Sequence, residues 1–148
     1  MVRLPPSVHG KGDHGFVPRL IEIARETGVS GFPADGSNRW PAVHRLDAAR
    51  LYRLALESAP AGARLHAIGD NGVAVRDISA VIGRHLGLPV TSIAPDAVAS
   101  HFGWLGAFFS LDVAASGTRT RELLGWQPTG PGLLDDLEEG HYFQARAA

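Results

Sequence analysis

The chain contains no cysteine in its 148 residues. That excludes disulfides and thiolate-bound zinc. Lysine is almost missing as well: Lys11 is the only one, and arginine supplies the rest of the fixed positive charge. The formal net charge of −1 at pH 7 argues against a nucleic-acid or anionic-membrane partner. No apolar run is long enough to span a bilayer, and no signal peptide is visible. These absences lead to the expectation of a soluble, cytoplasmic protein. Several catalytic signatures are missing too. There is no H-E-x-x-H and no G-x-S-x-G elbow, and Lys11 is followed by Gly12, which rules out a Walker lysine. His9, Asp13, His14, His44 and Asp47 show no compact ligand spacing, so no metal site is expected.

What is present is an apolar fraction of 45% with 18 glycines and 10 prolines. This suits one domain, or a large part of one, made of short elements and many loops. The stretch from Arg39 to Glu57 organises the chain. Pro41 holds its entry extended, and a helix follows. Asp47 is read as the N-cap, its carboxylate accepting from the free N–H of Ala49 or Arg50. Ala48, Leu51, Tyr52 and Ala55 form one face, with Arg50, Arg53 and Glu57 opposite. Pro60 and Gly62 end the helix.

The other elements follow from period and punctuation. Met1–Leu4 is a short strand stopped by Pro5 and Pro6. Phe16–Thr27 is a helix burying Val17, Leu20, Ile21 and Ala24, stopped by Gly28. Val29–Phe32 and Arg64–Ile68 are strands, and Asp35–Asn38 and Gly69–Gly72 are turns. Val75–Leu86 is a helix stopped by Gly87 and Pro89, Val90–Ile93 a strand, and Pro95 opens a helix to about Phe102. The apolar run Gly103–Phe109 covers a pocket or packs on another subunit. A short helix is capped by Gly125, and Trp126 returns to the core. Gly132–Tyr142 is a terminal helix whose acids (Asp135, Asp136, Glu138, Glu139) form a solvated face.

Gly10-Lys11-Gly12-Asp13-His14-Gly15 spells G-x-G-x-x-G ahead of a helix, with Asp35 about twenty residues on, formally a dinucleotide fingerprint. That motif needs a buried strand running straight into its first glycine. Here Pro5 and Pro6 interrupt the strand, and Ser7, Val8 and His9 intervene. A loop closing over a pocket is therefore favoured, with a nucleotide site through Gly10–Gly15 as an alternative.

Trp40-x-x-Val43-His44-x-x-Asp47-x-Ala49 resembles the "vHv-x-D-x-A" segment of the extended short-chain dehydrogenase/reductases, the NAD-dependent epimerase/dehydratase family. Arg3 to Gly10 resembles that family's "R-x-x-x-V-Y-G-P", with His9 in the tyrosine's place. Ser116-x-x-Arg119-x-Arg121-Glu122-Leu123-Leu124-Gly125-Trp126-x-Pro128 resembles its "s-x-x-r-x-x-L-G-W-x-P" close. The resemblance runs through the whole chain but covers only the C-terminal half of the family. It implies an α/β fold: the last one or two strands of a Rossmann-type sheet plus a small mixed α/β substrate lobe. Residues 1–148 would then form a single incomplete domain, the cofactor-binding half lying upstream of Met1.

The same resemblance implies NAD or NADP in the full-length parent, the nicotinamide beside Leu4, Pro5 and Pro6. It implies a small-molecule substrate contacting Ser7, His9, Arg39, Trp40 and Trp104. Sugar-nucleotide enzymes of the family carry an arginine four residues before the histidine. Trp40 stands there instead, which tilts the reading towards a small or apolar carbonyl compound. The family's chemistry uses a tyrosine with a lysine four residues later to lower its pKa. At that spacing Tyr52 meets Leu56, Tyr142 meets Arg146, and Lys11 follows Ser7. The expectation is a substrate-binding portion that is not catalytic alone and does not bind NAD(P) tightly. The rival is a stand-alone module that has lost catalysis and dimerises through an unpaired sheet edge at Val2–Leu4.

Overall fold

The computed structural model describes residues 1–144. The order is β1 (Val2–Arg3), β2 (Ser7–His9), α1 (Phe16–Thr27), β3 (Ser30–Pro33), β4 (Arg39–His44), α2 (Arg45–Ser58), β5 (Leu65–His66), β6 (Asp70–Ala74), α3 (Val75–Leu86), β7 (Val90–Ile93), a 3-10 turn (Pro95–Ala97), α4 (Val98–Phe102), α5 (Leu105–Phe109), α6 (Thr118–Leu124) and α7 (Leu133–Glu138). The strands make three small groups: β1 beside β5, β2-β4-β6, and β3 beside β7. The β1–β5, β2–β4 and β3–β7 pairs are parallel, and β4–β6 is antiparallel. This is an α/β fold with parallel strands, as expected. Among the described residues no helix is long and apolar enough to cross a membrane.

The long helices form where apolar spacing and glycine stops agree. α1 buries Val17, Leu20, Ile21 and Ala24 and ends at Gly28, whose left-handed φ of 74° lets its N–H reach Ala24 O. α3 buries Val75, Ile78, Val81 and Ile82.

Several expectations are corrected. α2 starts three residues earlier than read, at Arg45, and its cap is His44, whose ring accepts from the Leu46 N–H. Asp47 does not cap the helix. It is buried, and its carboxylate accepts from the backbone N–H groups of Thr129 and Gly130 at 2.8 and 2.9 Å. Tyr52, expected inside, is 45% exposed. β1 is not without a partner, because Val2 and Arg3 lie opposite Leu65 and His66. Gly69–Gly72 is no turn: Asp70–Ala74 runs antiparallel to β4. The register slips between Trp40 and Ala42, flanking Pro41, which has no N–H to give a ladder. The terminal helix stops at Glu138, and Gly140, at φ 80°, reverses the chain. Asp136 is buried rather than solvated.

The apolar residues divide into two cores. The larger gathers residues of α1, α3, α4, α5 and α7 with Trp40 and Ala42 of β4. The smaller comprises Val43, Ala48, Leu51, Leu65, Ala67 and Trp126. Successive residues of β4 feed opposite sides, as period-two alternation requires.

Candidate functional site

The loop Gly10–Gly15 joins β2 to α1. β2 runs directly into Gly10, so the glycine motif does follow a strand, contrary to the sequence reading. Three of its amide groups are nonetheless engaged. The Gly10 N–H donates to Tyr142 Oη at 2.9 Å, Asp13 N–H to Gly10 O at 2.9 Å, and Gly15 N–H to Asp13 Oδ1 at 2.6 Å. Gly10 has φ 136°, and a Cβ there would meet His44 Nε2 at 2.9 Å. A dinucleotide pyrophosphate needs free amides at this turn. These three are committed within the chain.

Ser7 and His9, expected at the substrate, are interior residues at 2% and 0% exposure. His9 Nδ1 lies 2.8 Å from Asp136 Oδ2, and the other oxygen of Asp136 lies 2.9 Å from His141 Nε2. One buried carboxylate thus holds two imidazoles, one deep and one near the surface. His9 Nε2 and Ser7 Oγ are buried and without hydrogen-bond partners among the described residues. Asp136, Glu139 and His141 bring ligand-type atoms within 4.8 Å of one another, but both oxygens of Asp136 already serve the histidines. Leu4 is 47% exposed and Pro5 is buried.

Arg39 is bound in place. Its guanidinium donates to both oxygens of Asp112 at 3.0 and 3.1 Å, and its backbone N–H adds a third bond. This pairing holds the Asp112 carboxyl below its ordinary range. Trp40 is 1% exposed, tilted against Phe16 and edge-on to Phe109, with its indole N–H donating to Phe108 O at 3.2 Å. It belongs to the larger core and not to an open pocket wall. Trp104 is broadly exposed, at 62%. It lines a cleft of about 400 Å³ with His14, Phe16 and Arg19.

Sequence reasoning missed a cavity of about 520 Å³ lined by Pro33, Ala34, Asn38, Val98, Gly106 and Ala107, among others. Ala34 sits at φ 50°, a left-handed conformation that costs energy for a residue with a Cβ and tends to occur at functional sites. Asn38 donates to Phe109 O and Leu111 O, tying β4 to α5. Asp35 is the only charged residue on the lining. Its carboxyl is held below the ordinary range, chiefly by the Ser37 N–H. The Asp35–Asn38 turn was the one available signal, and it marked the turn without marking the hollow beside it.

No protein-family model matches the sequence. Two curated relatives do, both uncharacterised. One, from Schizosaccharomyces pombe, is 46% identical over 143 residues, covering 97% of this chain and 48% of the relative. The other, from Saccharomyces cerevisiae, is 49% identical over 141 residues, covering 95% and 47%. The chain therefore spans about half the length of the curated relatives it matches. Among solved structures, the dTDP-glucose 4,6-dehydratase DesIV from Streptomyces venezuelae, with NAD and TYD bound, superposes with a TM-score of 0.70. It is 21% identical, and the match covers 96% of this chain and 42% of DesIV. The ADP-L-glycero-D-manno-heptose-6-epimerase of Helicobacter pylori gives 0.68 at 17% identity, over 97% and 44%. The fold matches part of the Rossmann-type extended epimerases and dehydratases.

Proposed function

We propose that this chain is the substrate-binding portion of an NAD(P)-dependent epimerase/dehydratase- or reductase-type protein and is not catalytic by itself. The observation that carries this reading is the match of nearly the whole chain to less than half of such enzymes. The missing tyrosine–lysine pair and the engaged glycine loop agree with it. The cofactor and the catalytic pair would come from the remaining length, with the nicotinamide beside Leu4, Pro5 and Pro6.

The finer reading concerns substrate. No cation lines the cavity of Pro33, Ala34, Asn38, Val98, Gly106 and Ala107. Arg39 is bound to Asp112 and Trp40 is in the core. A diphosphate finds no partner there, whereas a small, mostly apolar carbonyl compound fits a hollow of this size.

The test is calorimetric titration of the chain with NAD and with NADP, beside a chimera that joins the N-terminal half of the S. pombe relative to it. The chain alone should show no saturable binding, and the chimera should bind one cofactor. Saturable binding by the chain alone would restore the Gly10–Gly15 nucleotide reading. A second reading, a stand-alone module that pairs as a homodimer, is favoured by the exposure of Met1, Leu4, Tyr52 and Leu56 near β1.

A further inference from the structure

The loop Gly10–Gly15 is held from far along the chain. Tyr142 accepts from the Gly10 N–H at 2.9 Å and donates to Asp13 Oδ2 at 2.9 Å. Burial pushes the Tyr142 phenol far above its ordinary range, so its proton stays available to Asp13 at any physiological pH. The residues around Tyr142 are themselves fastened to the body. Asp136 is gripped by His9 and His141. Glu138 pairs with Arg84 and His85 of α3. Phe143 stacks on the His85 ring at 4.4 Å, and its carbonyl accepts from Arg25 of α1. A cavity of about 360 Å³ lies between the loop and this segment, lined by Gly12, Asp13, His14, Pro18, His141 and Tyr142. The loop is thus tied to a rigid post by one phenol, with space beside the tie.

We propose that Tyr142 is a positioning residue that latches the Gly10–Gly15 loop shut, with the His9–Asp136–His141 chain as its anchor. This rests on reading that loop as part of the substrate site. His14 lines both the latch cavity and the Trp104 cleft, so releasing the loop alters the cleft's mouth. Tyr142 acts through Gly10 and Asp13 and touches no reacting atom. The latch is a local device: breaking it frees the loop and leaves the two cores intact.

The single lysine makes this directly measurable. Lys11 lies inside the loop, so a lysine-specific protease cuts the chain only there. Cleavage of a native protein reports the population of the open form when reclosing is fast. The experiment compares the wild-type chain with Tyr142→Phe, Asp13→Ala and Asp13→Asn. An arginine-specific protease run in parallel reads opening of the whole molecule. Losing a hydrogen bond to a charged group should raise the open population about tenfold. Tyr142→Phe and Asp13→Ala should therefore be cut at Lys11 about tenfold faster. Asp13→Asn, which keeps one accepting oxygen for the phenol or the Gly15 N–H but not both, should fall between wild type and Asp13→Ala, and cleavage at arginines should not change. Less than about threefold acceleration in Tyr142→Phe overturns the latch. So does a parallel rise at the arginines, which would make Tyr142 a merely structural residue. Neither result bears on the cofactor titration, so the two readings fail separately.

Discussion

The two apolar cores differ in how completely they are enclosed. The larger is wrapped by α1, α3, α4, α5 and α7 around Trp40, and its largest members are fully buried. The smaller holds six buried residues between α2, β5 and Trp126. Near it, Met1, Leu4, Tyr52 and Leu56 remain 73%, 47%, 45% and 90% exposed. A groove of about 310 Å³ runs among Met1, Val2, Tyr52, Leu56 and Leu65. The members of the larger core are enclosed, with Trp104, Phe108 and Leu111 exposed only on the outer side of α5 and just beyond it, whereas the smaller core is flanked by exposed apolar side chains along β1 and α2. The enclosed region carries the cavity, the Trp104 cleft and the latched loop, while the open region carries β1. Binding geometry is thus built beside the larger core.

The largest effect should come from Trp126→Ala. Trp126 is 1% exposed and its indole donates to Asp47 O at 3.0 Å. Removing a buried tryptophan costs about 3–5 kcal/mol, a large part of a typical domain's stability. In urea unfolding followed by amide exchange, β5 and α6 should lose protection while α1 and α3 keep theirs. Trp40→Ala should remove a similar amount but expose the other side. If either variant unprotects both regions together, the two cores are one cooperative unit and the contrast fails.

Asp47→Ala comes next, at the seam between the regions. It would orphan the Thr129 and Gly130 N–H groups, a cost of about 2–3 kcal/mol in unfolding free energy. Asp47→Asn keeps one accepting oxygen and should lose about half as much. Gly130 cannot be exchanged to compensate, since a Cβ there would lie 2.7 Å from the His44 ring. If Asp47→Ala unfolds at the wild-type urea midpoint, the seam does not hold the C-terminal segment.

Two histidines should divide the acid response between the regions. Burial lowers the pKa of His44 at the seam, aided by neighbouring His9, and burial alone lowers that of His101 in the larger region. Both therefore take up protons more readily once unfolded. Their stabilising contribution is complete above the ordinary value of 6.5 and is lost as the pH falls below it. Tm should be lower at pH 5.5 than at pH 7.5. His44→Asn, which keeps a capping acceptor, should shrink the drop for α2. His101→Leu should shrink it for the larger core. Equal drops in all three proteins would assign the acid response elsewhere.

The parts legible in the sequence were those set by local chemistry. Phe16–Thr27, Val75–Leu86 and Val90–Ile93 were read with their observed bounds, because apolar spacing, left-handed glycine stops and β-branched residues all act within a few positions. What escaped depends on distant partners. Asp70–Ala74 has turn composition and becomes a strand only through β4. Asp47 looked like a cap, yet its partners lie 82 and 83 positions later. His9 and Asp136 are separated by 127 positions, so nothing local joins them. The cavity is lined largely by alanine, glycine, proline and serine, which carry no motif. Tyr142 reads in the sequence as the end of a terminal helix and as a tyrosine without its lysine, and its place over the glycine loop requires the fold.

The smallest effect on stability should come from Leu56→Arg, and it sharpens the contrast most directly. Leu56 is 90% exposed on α2, so its replacement should change unfolding free energy by no more than about 0.5 kcal/mol. Association is another matter. Val2, Tyr52 and Leu65 share its groove, and an exposed strand edge beside apolar side chains invites pairing. In sedimentation at rising concentration the wild-type chain should self-associate, and Leu56→Arg should remain monomeric with the same urea midpoint. A charge reversal on the side of the larger core, as in Arg25→Glu on α1, should leave association unchanged. If the wild-type chain stays monomeric throughout, the open region is better covered than its exposed side chains indicate. The asymmetry would then be one of packing density alone.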